Sequence, residues 1–323
     1  MKTNDIPKQA AYNPTVFDAY VKAKSVLETH DSAVCSVSGG KDSDCMMDML
    51  VRLDAEHKIR YVWVDTGLEY MATRRHLADL ERKYQVPIER LKAVKSVPRC
   101  VKEYGLPFLS KINSQIIRLL QRKGFQWEDL PLAELEEKYH KVRYGLRWWT
   151  NDYAIRNGSH DSYWNISRFK GLKEFLIDNP PDFLISDRCC EFAKKKTAAQ
   201  AEKDVTLKIT GVRKAEGGVR RGSYKGCFSS GKSIDAYRPL FWFKSADVAE
   251  YSKLFEIRHS DCYEVWGLKR TGCVGCPFNQ KIMIELQIIK EYESNMYRAC
   301  MAIFGKSYEY TTKYRQFVGQ MKK

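Results

Sequence analysis

The chain has 323 residues, enough for one large domain with an added module or for two domains. Hydrophobic residues make up 44% and charged residues 29%, a globular balance that excludes disorder beyond the ends. There is no apolar run of about 18 residues, and Met1 to Asn13 is polar, so neither a membrane span nor a signal peptide is expected and the chain is read as cytoplasmic. The net charge of +15 suits phosphates, nucleotides or nucleic acid, and equally suits a plain solvated surface.

In chain order, residues 14 to 29 carry Val16, Ala19, Tyr20, Ala23 and Val26 at helical spacing. Ala33 to Val37 is a short apolar run before two glycines, which predicts a buried strand. From Asp42 to Leu53 the apolar positions Cys45, Met46, Met49, Leu50 and Leu53 again have a helical period. Arg60 to Val64 reads as a second strand, residues 70 to 84 as a helix and 87 to 91 as a third strand. This alternation predicts a parallel α/β sheet, with the loops after the first two strands at one edge.

Residues 112 to 178 are less regular and read as a helical insertion. Its aromatic group, Trp148, Trp149, Tyr153 and Trp164, fits a packed core better than a base-stacking surface. Phe183 to Ser186 and Leu207 to Thr210 are predicted as strands. Helices are predicted for Phe241 to Leu254, with Asp247 near the start, and for residues 281 to 300. Between them, residues 255 to 280 are turn-rich and hold three cysteines.

Ser38-Gly39-Gly40-Lys41-Asp42-Ser43 stands between the first strand and the helix after it. Glycines let the backbone approach a phosphate closely. A helix N-terminus offers N–H donors and the positive end of its dipole. Lys41 adds a charge, and Ser38 and Ser43 add hydroxyls. The spacing is neither that of a Walker A loop nor that of a dinucleotide-binding loop. A plain strand-to-helix turn is the bland alternative, and the whole hexapeptide in this setting argues against it.

The hexapeptide resembles the PP-loop of the adenine nucleotide alpha-hydrolase superfamily. Val64-Asp65-Thr66-Gly67-Leu68-Glu69 resembles the segment after the second strand in the phosphoadenosine phosphosulfate reductase family. Ile209-Thr210-Gly211-Val212-Arg213, with Glu216 and Arg220, resembles that family's Gly-x-Arg segment. The resemblance spans roughly residues 30 to 280. It implies a three-layer, Rossmann-like α/β/α sandwich with a parallel sheet, here expected over residues 1–254, and a helical, cysteine-containing C-terminal module over 255–323. It also implies that Ser38 to Ser43 hold phosphates, that Asp65, Thr66 and Gly67 lie near the nucleoside, and that Gly211 and Arg213 face an anionic group. Position alone also favours Arg213, since an arginine just past a strand end sits where ligands of parallel sheets collect and binds phosphate bidentately. A surface ion pair is the plainer role for Arg213.

Ten cysteines in a chain of this kind point to metal or redox chemistry more than to disulfides. Cys35, Cys45, Cys100 and Cys300 stand apart and read as structural. Cys273-Val274-Gly275-Cys276-Pro277 is a Cys-x-x-Cys turn, and Cys189-Cys190 precedes Lys194-Lys195-Lys196. This tandem pair with a distant Cys-x-x-Cys resembles the cluster-binding pattern of iron–sulfur sulfonucleotide reductases and of DNA phosphorothioation sulfurtransferases. A [4Fe–4S] cluster on Cys189, Cys190, Cys273 and Cys276 is the expectation, with zinc or reduced thiols as alternatives and Cys262 and Cys227 as further candidates. The lysine run either neutralises the cluster or is a solvated helix face.

The segment from Tyr314 to Lys323 has no cysteine, whereas sulfite-releasing reductases carry a nucleophilic one in a C-terminal motif. Three functions are weighed. The first is ATP-dependent adenylation of a nucleic-acid acceptor, DNA or tRNA, followed by sulfur transfer with a sulfur-donor protein. Lys41, Asp42 and Arg213 are its expected catalytic residues, and magnesium is held by Asp42 or Asp65. The second is sulfonucleotide reduction using another cysteine, and the third is nucleotide binding without turnover.

Overall fold

The computed structural model describes residues 6–152, 165–216 and 222–321. They form two compact units that interleave along the chain. The first unit takes residues 1–94 and 193–274, the second 95–192 and 275–323.

In the first unit, Asn13 caps helix α1 (Pro14–Glu28), its side chain accepting from Val16 N at 3.2 Å. Strand β1 (Ala33–Ser36) leads through the glycine loop into α2 (Lys41–Leu53). Then follow β2 (Ile59–Asp65), α3 (Met71–Tyr84) and β3 (Ile88–Lys92). The chain returns to this unit with helix Lys196–Ala201, strands β4 (Leu207–Thr210), β5 (Phe228–Ser229) and β6 (Asp235–Tyr237), and helix Ser245–Leu254.

The strands make one sheet in the order β3-β2-β1-β4-β6-β5. All pairings are parallel except β5 with β6. Side chains alternate across it. Ala33, Cys35, Tyr61 and Trp63 join a large core with Tyr20 of α1, Met46 and Leu50 of α2, Leu77 of α3 and Tyr251. Val34 and Val62 face the other way and pack with Ala201, whose carbonyl accepts from Arg60 Nη2 at 2.6 Å. Helices therefore lie on both faces of the sheet, as the expected α/β/α layering requires.

Two sequence expectations shift within this unit. The hairpin strands β5 and β6 were not anticipated; they are two and three residues long, below the length at which alternation shows. The helix expected from Phe241 begins at Ser245. Its first turn is fixed by Asp247, whose Oδ2 accepts from Lys244 N at 2.7 Å.

The second unit is helical. Phe108, Trp148, Trp149, Phe175, Tyr310 and Tyr314 pack into one core, so these two tryptophans have the packing role expected of them; Tyr153 and Trp164 lie outside the described residues. The strand expected at Phe183–Ser186 is instead a single bridge, Leu106 to Ile185. Pro180 and Pro181 before it and Pro107 beside its partner deny the backbone donors that a longer ladder needs. The helix expected over 281–300 is two helices, Ile282–Tyr292 and Ser294–Gln320, broken at Glu293, where φ is −138° and ψ is 64°. No helix among the described residues is long and apolar enough to cross a membrane.

Candidate active site

The strand order reverses at β1, which continues to β2 on one side and borders β4 on the other. Ligands of open parallel sheets bind beyond the carboxyl ends of strands at such a switch point. Three expected segments lie there: the glycine loop after β1, Asp65-Thr66-Gly67 at the end of β2, and Gly211 to Arg213 after β4. A hollow lined by Lys203, Asp204, Thr206 and Ser233 lies before the first residues of β4 and β6, at the opposite end of the strands.

Ser43 organises the loop from inside. Its buried Oγ accepts from Ser38 N at 3.2 Å and Gly40 N at 3.1 Å and donates to Gly40 O at 2.9 Å. Gly39 has φ +67°, and a Cβ there would lie 2.9 Å from Thr73 Cγ2 of α3. Both conformation and close approach therefore require glycine. A Cβ on Gly211 would sit 3.6 Å from the backbone of Asp42 and Ser43, so β4's loop runs against the first turn of α2. That turn, capped by Gly40, presents amide donors with no partner inside the helix.

The charged groups around the loop are partnered. Arg213 Nε donates to Asp42 Oδ2 at 2.8 Å and its Nη1 to Phe243 O at 3.3 Å. The plainer role weighed for this arginine, an ion pair, is thus present, with a loop carboxylate as partner. Arg74 Nη2 donates to both oxygens of Asp65 at 3.0 and 2.9 Å, and Asp65 Oδ1 also accepts from Gly67 N at 2.9 Å. Exposed Lys41 holds its ammonium 5.0 Å from the centre of the Tyr263 ring. The Tyr263 hydroxyl accepts from Thr271 N at 3.0 Å and contacts Thr271 Oγ1 at 2.9 Å. Residues 263–271 therefore form a wall beside the loop that the sequence did not reveal.

Behind the loop lies a second unforeseen group. Asp44, fully buried in α2, contacts His76 Nε2 at 2.9 Å and His259 Nδ1 at 2.8 Å through one oxygen, Oδ2. His259 Nε2 continues to Ser252 Oγ at 3.0 Å. Burial opposes the charged form of His76, but the Asp44 hydrogen bond and charge outweigh it and raise its pKa. These residues lie as much as 215 positions apart, so no spacing pattern announces them. Nearby, burial lifts the Glu69 carboxyl to about 7 although the Thr66 hydroxyl donates to it at 2.5 Å.

The cysteines divide between the units. Cys273 belongs to the first, with Sγ 3.5 Å from Thr66 Oγ1. Cys189, Cys190 and Cys276 belong to the second. Among the described residues, no group of three or more His, Cys, Asp or Glu side chains is placed to hold a metal ion. Gly275 has φ +62°, the tight turn expected inside the Cys-x-x-Cys. Cys262 is buried in the short helix Asp261–Glu264, and Cys227 packs on the first unit's core. Cys35, Cys45, Cys100 and Cys300 are buried, and burial raises each thiol pKa, to about 11 for Cys100 and about 12 for Cys300. That keeps them protonated, in keeping with structural roles. Lys194, Lys195 and Lys196 are exposed, while Arg220 lies outside the described residues.

Fold and site together define an α/β domain whose mostly parallel sheet carries a strand–glycine loop–helix turn at its switch point. Residues 32–117 match the phosphoadenosine phosphosulfate reductase domain. Over 71 residues it is 42% identical to the uncharacterized protein MJ0066 of Methanocaldococcus jannaschii, a match covering 22% of this chain and 14% of that relative. The phosphoadenylyl-sulfate reductase of Candida auris, solved as a phosphate complex, is 13% identical with a TM-score of 0.43, over 83% of this chain and 96% of that one. The U34-tRNA thiolase NcsA of Methanococcus maripaludis, solved with its [4Fe-4S] cluster, is also 13% identical, with a TM-score of 0.37 over 94% of this chain and 80% of that one.

Proposed function

We propose that this chain is an enzyme that binds ATP or a related adenine nucleotide at Ser38 to Ser43 and adenylates an acceptor for sulfur transfer. The observation that carries the reading is the Ser43-braced loop at the switch point, with Lys41 and Arg213 beside it. In this reading an acceptor oxygen attacks the α-phosphorus, the bond to the β-phosphate oxygen breaks, and pyrophosphate leaves. A sulfide sulfur from the donor then attacks the adenylated acceptor, and AMP leaves carrying the former acceptor oxygen. Lys41 and the loop amides stabilise charge on the departing phosphates. Asp42 engages Arg213 through Oδ2 alone, whereas Arg74 takes both oxygens of Asp65, which favours Asp42 as the magnesium ligand.

Asp65, Thr66 and Gly67 are assigned to the nucleoside side of the site, and Gly211 to its phosphate side beside Asp42 and Ser43. The acceptor is assigned as nucleic acid, DNA or tRNA, on the net charge of +15, with a sulfur-donor protein as partner and the cytoplasm as the setting. Cys189, Cys190, Cys273 and Cys276 are assigned to a [4Fe–4S] cluster, with zinc as the competing metal. Anaerobic purification with iron, sulfide and zinc analysis decides between them; stoichiometric zinc without iron removes the cluster.

The test of the main reading is pyrophosphate release from ATP and its loss in Lys41→Ala. Equal ATP affinity in wild type and Lys41→Ala would sink it. The match of residues 32–117 supports a second reading, sulfonucleotide reduction, for which sulfite release is the signature.

A further inference from the structure

Five of the six described tryptophans are buried, but Trp242 is 54% exposed. Its exposure does not come from a loose loop. Leu240, Phe241 and Phe243 around it are at most 1% exposed. Phe241 N donates to Arg238 O at 3.1 Å and Phe243 N to Leu240 O at 3.0 Å, so the backbone on both sides of Trp242 is turned and bonded. Two further bonds tie it to the residues after β4: Lys214 N donates to Phe241 O at 2.9 Å, and Arg213 Nη1 to Phe243 O at 3.3 Å. The same Arg213 side chain grips Asp42 in the glycine loop. An indole is thereby held outward beside the anion cradle.

The ring is also equipped for more than apolar contact. Phe241 meets it edge-on, with centroids 4.9 Å apart at 77°. Lys214 Nζ stands 4.8 Å from the ring centroid. With Lys214 over one face, the half-exposed indole offers its other face to a nucleobase, and the ammonium can take the phosphate attached to that base.

We infer that Trp242 and Lys214 form a nucleobase subsite, Trp242 stacking an unpaired base and Lys214 taking its phosphate. The inference deepens the proposed function by giving the nucleic-acid acceptor a place to bind, and it rests on that reading only for the site's purpose. The shared chemistry is a base with its phosphate; the source is either an acceptor strand or the adenine nucleotide itself.

The test measures binding of a short fluorescein-labelled oligouridylate, its oligothymidylate counterpart, and ATP to the full chain. Trp242→Ala should weaken oligonucleotide binding on the order of tenfold, while Trp242→Phe retains most of it. Lys214→Gln should lower the salt dependence. Circular dichroism confirms folding, which an exposed side chain leaves intact. Weakened ATP binding with unchanged oligonucleotide binding keeps the subsite and makes the nucleotide's own base its occupant. Unchanged affinity for all three probes overturns it. Lys41→Ala separates the two ideas: if it loses ATP while Trp242→Ala changes nothing, the proposed function stands and the subsite falls.

Discussion

Arg213 and Asp42, 171 positions apart in sequence, join at 2.8 Å across the strand-order reversal, the arginine from the loop after β4 and the aspartate from the first turn of α2. Their side chains are only 12% and 25% exposed, so water screens the pair less than a surface bridge. The guanidinium thus meets a carboxylate where the proposed function calls for phosphate. In that reading, phosphate competes with Asp42 for Arg213 or shares it.

The pair should behave as one unit. Arg213→Ala and Asp42→Ala are each expected to lower stability, and the double variant to lose less than their sum. The coupling should be about 0.5–3 kcal/mol, measured by urea denaturation in a double-mutant cycle. Additive losses would show that the contact carries no energy. Arg213→Lys should not restore ATP affinity, because an ammonium lacks the forked donor geometry.

Tyr263 is expected to steady Lys41. Tyr263→Leu removes the ring beneath the ammonium and should raise the Kd for ATP several-fold, in line with a cation–π contact of roughly 0.5–2 kcal/mol. Tyr263→Phe keeps the ring and frees Thr271, so its Kd should stay near wild type while thermal stability drops slightly. Calorimetric titration of the three proteins checks both, and equal affinities in all three exclude a role for the ring.

His76 gives a pH signature. Its folded pKa is raised above the ordinary 6.5, burial opposing the charge and Asp44 supporting it. Its stabilising contribution is therefore complete below about 6.5 and disappears as pH climbs through the folded value. Asp79 and Asp261 add to the field on His76, while Asp44 also touches His259, with Glu264 near the latter's backbone. Thermal denaturation across this range should show wild type losing stability toward alkaline pH more steeply than His76→Gln. Asp44→Ala, which strips the shared carboxylate from two buried imidazoles, should cost about 3–5 kcal/mol.

Much of the scaffold was readable because its signals are local. Strands β1, β2 and β4 are short apolar runs, and α1, α2 and α3 repeat apolar residues at helical spacing. The glycine loop was readable because φ at Gly39 and the capping role of Ser43 are set within six residues. What escaped depends on distance along the chain. Asp44, His76 and His259 are joined only once α2, α3 and the segment after helix Ser245–Leu254 pack together, and Tyr263 reaches Lys41 from more than two hundred residues away. The run Phe183 to Ser186 reads as a strand from its apolar composition, but Leu184 is 57% exposed while Ile185 joins the helical unit's core and Phe183 packs against it, so composition here marks packing on helices rather than a ladder.

Gly275 provides a test of the Cys-x-x-Cys turn that does not depend on any metal. It adopts φ +62°, where a side chain is strained. A Cβ would also lie 2.6 Å from Cys300 Sγ and 2.7 Å from the Tyr308 hydroxyl, and both are held, the tyrosine by its hydrogen bond to Gly275 O. Gly275 N in turn donates to Glu285 Oε1 at 3.1 Å, so the turn cannot shift without breaking that bond. Gly275→Ala should therefore cost about 2 kcal/mol or more, from strain and overpacking together. Adding Cys300→Ala to Gly275→Ala removes the nearest obstructing atom and should recover part of the loss, leaving the φ strain. Melting temperatures of the metal-free single and double variants measure this; no recovery in the double variant would mean that φ strain and the Tyr308 hydroxyl, not the sulfur, set the cost.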